Sequence, residues 1–566
     1  MTRRSWAGVP ARLTMSRGER IVAAGVFYVA LVLRLFVLAQ LQDEPLFRTP
    51  QLDSLEYAEW GMRLAAGDFS WPAAPIHGPG YPMLIGAVLA VTGSLTAVRV
   101  VQAILGSLAA LLLFATARRF YGPLAGAAAG LLHAVCAPLI LIDVSILAES
   151  LLVFLLTLVL WLTARLSRGE FRRPALLRIV TGLLLGFAIV VRPTAIALVP
   201  LVAWFALRGA PRRGMALLHF TLAVAYPVVP VVIHNYATPD QVVAVQSSGG
   251  MNFYIGNSPL HDGTAWARPG GEWDTLRGTA WRAGVTGAAA EDRFFLRLTL
   301  REIGEHPLGW LRLVGSKALW LIQNEEVRDS HSFHFFAASS PLLRRLPRFG
   351  VVFALAVCGI AVAARARRMS WLLTGYALII AATAIGLVAG FRYRVPIMPP
   401  LFIYAGAAVA FISGAAAQRR WRSVGGVALL FIFLLILSNV RRHEASHEFS
   451  EETAMTALAL RKEGRPAEAA EAARRAIAMN PRRSIAWIAL GDIEAGQGRW
   501  DEAEQAWRQA IAVDPNAVRA WSHLALAHIR RGEREEGEAA LRHALAIRAD
   551  GEAAQNLETL THVSFR

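Results

Sequence analysis

Three carboxylates, Asp53, Glu56 and Glu59, stand three residues apart in QLDSLEYAEWG (51–61), directly after the first apolar segment. Carboxylates held beside a bilayer surface are suited to handling a polar headgroup. The pattern therefore points to a membrane-embedded transferase rather than a plain anchor. Asp53 precedes a helix expected over 54–66, where an aspartate also serves as an N-cap. Glu56 and Glu59 follow at helical spacing and read as a solvated face. A further carboxylate, Glu149, opens an otherwise uninterrupted apolar run at 146–162. An ionisable group at membrane depth is costly and faces a cavity or a partner. Its place at a helix start also suits the helix dipole. Asp143 lies six residues earlier. The two acids are compatible with a divalent cation, although no ligand spacing demands one.

The elements that must position these groups are membrane helices. The chain has 566 residues, is 55% hydrophobic and carries a formal net charge of +17. So apolar a composition at this length signals membrane spans. About eleven segments are long enough to cross, or nearly so: 21–41, 97–117, 123–141, 147–165, 176–191, 194–207, 214–234, 349–364, 371–390, 396–414 and 424–439. The basic residues recur in the short loops between them: Arg118 and Arg119; Arg165, Arg168, Arg172 and Arg173; Arg208, Arg212 and Arg213; Arg365, Arg367 and Arg368; Arg419, Arg420 and Arg422. That is the positive-inside pattern, not the single basic patch of a nucleic-acid binder. The first external loop instead holds Asp43, Glu44, Asp53, Glu56, Glu59 and Asp68. The basic N-terminus (1–20) precedes an uncleaved first helix and lies in the cytoplasm, because the apolar core is long and no small-residue cleavage site follows. An odd number of spans places the C-terminal region outside, against the sense of Arg441 and Arg442 just after the last span.

Two stretches differ from simple spans. PMLIGAVLAVTG (82–93) is too short to cross and reads as interfacial or re-entrant. HPLGWLRLVGSKALWLI (306–322) mixes Arg312 and Lys317 with tryptophans, as in a helix at headgroup level. Asn235–Arg348 forms a long external loop, of a length that usually has a function. The two cysteines, Cys136 and Cys358, sit in apolar context and carry no disulfide or zinc framework.

After about residue 450 an internal repeat begins. Gly464, Gly498 and Gly532 are 34 residues apart, and Ala476, Ala510 and Ala544 keep the same step. So do Ala469, Ala503 and Gly537, while Trp487 and Trp521, and Pro481 and Pro515, share further phases. This is the tetratricopeptide pattern, in which small residues let two antiparallel helices approach. About three repeats run over 450–551, the first degenerate. Such solenoids bind peptides or partner proteins.

The membrane part resembles the GT-C fold glycosyltransferases, specifically glycosyltransferase family 39, the group of protein O-mannosyltransferases and lipid A aminoarabinose transferases. The resemblance rests on an ordered set of segments covering most of 20–440: Asp53 and Tyr57 in the first loop; HGPGYPMLIGAVLAVTG (77–93); Glu149 at the start of a span; VRPTAIALVPL (191–201); GGMNFYIGNSP (249–259); FRYRVPIMP (391–399). It implies a sugar taken from a polyprenyl-phosphate donor at the external membrane face. It makes Asp53 the general base toward the acceptor hydroxyl, worth ~10²–10⁴ in rate, and gives Glu149 a site role such as orienting the acceptor or binding a metal. The leaving lipid phosphate needs positive charge, and arginine suits phosphate through its planar fork. Arg192 and Arg394 are the candidates, with His77 and Arg392 behind them. Tyr57, Tyr81 and Asn252 are the substrate-binding candidates; Asn252, with Tyr254 and Asn257, is equally suited to a turn. Arg34, inside the first span, reads as a structural pairing partner. Some relatives carry a second acid beside the first-loop aspartate, whereas Ser54 follows Asp53 here.

The expected fold is therefore all-α: a polytopic helical bundle of GT-C type over 21–449, with external loops 42–96 and 235–348, followed by an α-solenoid over 450–551 and a tail at 552–566. The expected function is sugar transfer from a polyprenyl-phosphate donor to an external hydroxyl on a lipid, glycan or protein. Its setting is the bacterial inner membrane, with the site and the repeats on the periplasmic side. No cofactor is required, a divalent metal is left open, and the partners are membrane lipids and a protein acceptor or partner on the repeats, with no nucleic acid. The alternatives are a polymerase or ligase of lipid-linked glycans, with its key residues in a late loop, and a non-catalytic envelope scaffold acting through the repeats. A transporter fits least, since no inverted repeat of broken helices is visible.

Overall fold

The computed structural model describes residues 14–70, 75–170, 173–237, 244–265, 267–440, 444–548 and 551–562. The N-terminal stretch up to residue 13, Arg172, Arg441, Arg442 and residues 563–566 of the tail lie outside them. Helices make up the architecture, with no β-strand among the described residues.

Among the described residues, seven helices are long and apolar enough to cross a membrane: Arg17–Leu41, Leu95–Tyr121, Ala148–Leu166, Pro174–Val191, Arg213–Ala237, Pro341–Arg365 and Phe391–Ala417. The segment expected as a span over 123–141 is a bent pair, Pro123–Ala134 and Ala137–Val144, meeting at 57°. Pro138, near the start of its second half, cannot continue the first. The segments expected at 194–207, 371–390 and 424–439 form the shorter apolar helices Pro193–Ala206, Trp371–Gly386 and Trp421–Leu437. So the eleven expected segments all become helices, but three fall short of the usual span. The stretch at 82–93 is also a short apolar helix, Gly80–Thr92. Pro307–Ile322 is helical, as expected for 306–322.

The chain divides into two compact units that do not follow chain order. The first comprises residues 1–41, 56–248 and 311–443. Its core centres on Ala148–Leu166, which is apolar all round and buried along most of its length. Small residues bring its helices together. A Cβ on Gly359 would overlap the Tyr404 carbonyl, so glycine there lets helices Phe349–Arg365 and Met398–Ala417 touch backbone to backbone. Arg34 is fully buried in the first helix and meets Asp143 at 2.7 Å. Both cysteines are free and buried.

The second unit comprises residues 42–55, 249–310 and 444–566. Three helical hairpins form its array: Ser450–Lys462 with Pro466–Met479, Ser484–Gly496 with Trp500–Val513, and Val518–Arg531 with Arg534–Ile547; Gly551–His562 follows. The 34-residue glycine step now has a cause. Gly464, Gly498 and Gly532 each turn one hairpin at φ between 74° and 84°, where side chains are disfavoured. Ala476, Ala510 and Ala544 are wholly buried where paired helices approach. The Trp and Pro phases belong to each other: Trp487 Nε1 donates to the Pro481 carbonyl and Trp521 Nε1 to that of Pro515, both at 2.9 Å.

Candidate active site

Glu149 sits in the first turn of Ala148–Leu166, with 1% of its surface exposed. The loop before it is pinned from the side: Tyr81 donates to Gln102 at 2.9 Å, and Gln102 Nε2 donates to the Ser145 carbonyl at 2.8 Å. One Glu149 oxygen accepts a hydrogen bond from Arg192. The other is buried without a hydrogen-bond partner, an arrangement that costs free energy and so asks for an explanation.

Arg192 follows the end of helix Pro174–Val191, where Pro193 forces the chain out of the helix. The segment HGPG lies against that helix end. A Cβ at Gly78 would overlap the Val190 carbonyl, so this approach needs glycine. His77, on the same segment, stacks on Tyr57 with ring centres 4.5 Å apart and stands 3.1 Å from a Glu56 oxygen. Tyr57 in turn meets Tyr81 edge to face at 5.0 Å. Tyr57 also lies within electrostatic reach of the Arg192 guanidinium.

A cleft with about 410 Å³ of open space is lined by Glu149, Arg192, Thr194, Thr383, Arg392 and Tyr393, among others. Tyr393 faces Arg192, whose guanidinium carbon lies 5.5 Å from the ring centre. A neighbouring cleft of about 340 Å³ is lined by Lys317, Trp320, Glu325, Tyr393 and Arg394. The two share Tyr393 and Ala384.

The turn Phe391–Arg394 is framed by residues that sequence reasoning missed. Asp329 lies 2.9 Å from Arg392, and Glu326 lies 2.5 Å from Arg394. Arg394 also donates to the carbonyls of Gln323 and Glu325, and its guanidinium packs 3.9 Å from the Phe349 ring centre. Phe391 N closes the frame by donating to the Val327 carbonyl at 3.0 Å. Glu325 stands 2.8 Å from His334. Burial pushes the Asp329 carboxyl up, while Arg392 draws it back down. Lys317 is 2% exposed and donates to the Leu387 carbonyl at 3.0 Å. Burial brings its ammonium down to about 8.

Two expected residues, Asp53 and Asn252, belong to the second unit and are described with it. Asp53 opens the helix Asp53–Ala65 and is half-buried. The residue before it, Leu52, has φ of 51°, a left-handed conformation that branched side chains rarely adopt. Asn252 belongs to the second unit, on helix Gly249–Asn257; there Asn257 accepts from Trp310 at 3.2 Å. The pair Asp143–Glu149 does not fit a cation site. Arg34 and Ser150 engage the two Asp143 oxygens at 2.7 and 2.8 Å, and Glu149 is held by Arg192.

Residues 76–234, which hold His77, Tyr81, Glu149 and Arg192, match the family model described as dolichyl-phosphate-mannose-protein mannosyltransferase. This stretch is similar to that family. The tetratricopeptide model matches twice, at 455–506 and 488–553. Among solved structures, the chain is similar to the oligosaccharyltransferase AglB of Archaeoglobus fulgidus, in complex with an inhibitory peptide and a dolichol-phosphate. The identity is 14% and the TM-score 0.45, over 78% of this chain and 58% of that one. ArnT from Cupriavidus metallidurans matches at 16% identity and TM-score 0.31, over 70% and 79%. The chaperone SycD of Yersinia enterocolitica matches at 17% identity and TM-score 0.20, over 24% and 95%. No curated protein matches the chain. The matched stretch thus covers the Glu149–Arg192 pair but ends before the Phe391–Arg394 turn that lines the same cleft.

Proposed function

We propose that this chain is a membrane glycosyltransferase that moves a sugar from a polyprenyl-phosphate donor to an external hydroxyl acceptor. Its setting would be the bacterial inner membrane, with the cleft and the repeats on the periplasmic side. The observation that carries this reading is the Glu149–Arg192 pair. Glu149 is buried and Arg192 half-buried, both within the stretch similar to the mannosyltransferase family, with one carboxylate oxygen unengaged.

In the reaction, the acceptor oxygen attacks the anomeric carbon in one displacement, with inversion. The bond to the phosphate oxygen breaks, and the lipid phosphate leaves with that electron pair. The acceptor proton passes to a carboxylate, a role that the sequence pattern gives to Asp53. Arg192 supports the leaving phosphate: Glu149 is its hydrogen-bond acceptor among the described residues, so further guanidinium donors remain for a ligand. Arg392 adds positive charge on the same cleft wall. Such fixed donors in a water-poor cleft stabilise developing charge without reorganising. Arg394 we assign to the framework, because its donors are committed to Gln323, Glu325 and Glu326. Glu149 fixes the Arg192 fork and offers its other oxygen to the acceptor. Tyr57 and Tyr81 are almost wholly buried and, with His77, form an aromatic cluster that backs Arg192.

The test is transfer from labelled polyprenyl-phosphate sugars by the purified full chain in lipid nanodiscs, compared with Asp53→Asn and Arg192→Lys. Transfer that persists at the wild-type rate in both variants would overturn the proposal and favour a scaffold.

A further inference from the structure

The repeats are commonly a platform for an outside protein, yet one edge of this array is already occupied. Within the second unit, the segment 268–282 crosses the array along the turns between successive hairpins. Arg268 approaches Glu451 at 4.0 Å, at the start of the first hairpin. Glu272 pairs with Arg483 at 3.1 Å, between the first and second. Asp274 and Thr275 meet the turn between the second and third: Val518 N donates to Asp274 at 3.0 Å, and Asn516 donates to Thr275 at 2.9 Å. After the third hairpin, Arg548 donates to Asp274 at 2.6 Å and Trp281 Nε1 to the Leu545 carbonyl at 2.8 Å. One stretch, ending in the helix Gly271–Arg282 of about three turns, therefore engages every step of the array in order.

The fit is close. A Cβ on Gly271 would overlap the Asp514 carboxylate, and one on Gly278 would overlap the Ile547 carbonyl. Asp274 is 5% exposed. It also completes the array: helix Val518–Arg531 starts after Ala517, which has no side chain able to cap it. The Asp274 carboxylate accepts from the first amide of that helix, a position where an acid satisfies an orphan donor and suits the dipole.

We propose that the edge formed by the inter-repeat turns is a recognition surface for a short glycine-bearing helix carrying an aspartate, and that its resident ligand is the chain's own segment 268–282. The array thus orders the long loop that follows the 213–237 helix instead of presenting this edge to another protein. This holds whether or not the chain transfers sugar.

The test uses the full chain in detergent and a labelled peptide of residues 268–282. Wild type binds the peptide weakly, because its edge is filled. Asp274→Arg in the chain dislodges the resident segment, and the peptide then binds at least tenfold more tightly. Arg548→Asp removes the receptor's charge, so that variant binds the wild-type peptide more weakly than D274R does. Hydrogen exchange on the chains alone gives a second measurement. Amides of 268–282 exchange at least tenfold faster in D274R, and the double variant D274R/R548D recovers only part of that protection, because arginine cannot accept from Val518 N. Equal peptide affinity for wild type and D274R, or unchanged exchange in D274R, would overturn the proposal.

Discussion

Replacing Arg192 by lysine asks whether this side chain grips a phosphate or only balances Glu149. The arginine gives one nitrogen to Glu149 and keeps others for a ligand in the cleft. Lysine keeps the charge and can still meet Glu149, so the buried pair survives and folding is spared. What it loses is the fork: a single ammonium cannot hold the carboxylate and span two phosphate oxygens in one plane. Hydrogen bonds to charged groups contribute ~1.5–3 kcal/mol each, and each 1.4 kcal/mol is about tenfold in affinity. The donor KM should therefore rise about 10- to 100-fold in Arg192→Lys, with a smaller change in acceptor KM. Arg394→Lys is the matched control. Its parent's donors hold Gln323, Glu325 and Glu326, so it should lower thermal stability and leave donor KM within about threefold, roughly 0.6 kcal/mol. Steady-state transfer from a labelled polyprenyl-phosphate sugar, with donor varied at saturating acceptor, reads both. If Arg192→Lys keeps the wild-type donor KM, or if Arg394→Lys shifts it as much, the assignment of the phosphate to Arg192 is wrong.

Further outcomes follow from the same geometry. Glu149→Gln leaves Arg192 buried beside Arg392 without its counter-charge, and breaking such a pair typically costs ~3–5 kcal/mol; the thermal midpoint should drop measurably and transfer should be lost. Asp53→Asn keeps a residue that starts helices well, so folding should hold while kcat falls ~10²–10⁴-fold; intact kcat would remove Asp53 from the chemistry. Lys317 carries a pH signature. Its value is about 8 in the fold, against roughly 10.4 when free, so the fold disfavours the ammonium. Its contribution to stability is complete above the unfolded value and is lost as pH falls through about 8. Thermal stability should therefore rise between about pH 8 and 10 in wild type and stay flat in Lys317→Arg, whose charge persists.

The spans and the repeats were legible because each rests on a period or a composition. Hydropathy finds apolar helices wherever they fall, although length alone does not say that 194–207, 371–390 and 424–439 become shorter helices. The 34-residue step of Gly464, Gly498 and Gly532 is visible because one backbone demand recurs at each hairpin. Glu149 and Arg192 stood out for the opposite reason: charge is rare in an apolar run. Lys317 was read only as a headgroup-level residue, and Glu325, Glu326 and Asp329 did not stand out, since a loop dense in charge looks solvated. The signal was the run NEEVRD (324–329), whose acids Glu326 and Asp329 pair with the arginines of FRYR 68 and 63 residues later. Nothing local says that they pair. The docking of 268–282 was likewise hidden, because much of it uses backbone carbonyls and amides, which every sequence supplies.

The ion pairs deserve a physical account beyond stability. Asp329–Arg392 and Glu326–Arg394 are buried, as is Glu149, whose partner Arg192 is half-buried, and the pairs draw on four segments of the first unit. Apolar side chains of similar volume would often hold such a place as firmly, since desolvating two charges offsets most of their attraction. A bundle that needed only to pack would have no reason to carry three such pairs around two adjoining clefts. A site that must meet a charged leaving group does. Arginines already drawn out of water and fixed by carboxylates need little rearrangement when a phosphate arrives, whereas arginines free in solvent would first lose hydration and rotamer freedom. On this reasoning the acids are there to hold the arginines ready, and the arginine whose donors are least committed, Arg192, is where the ligand should bind.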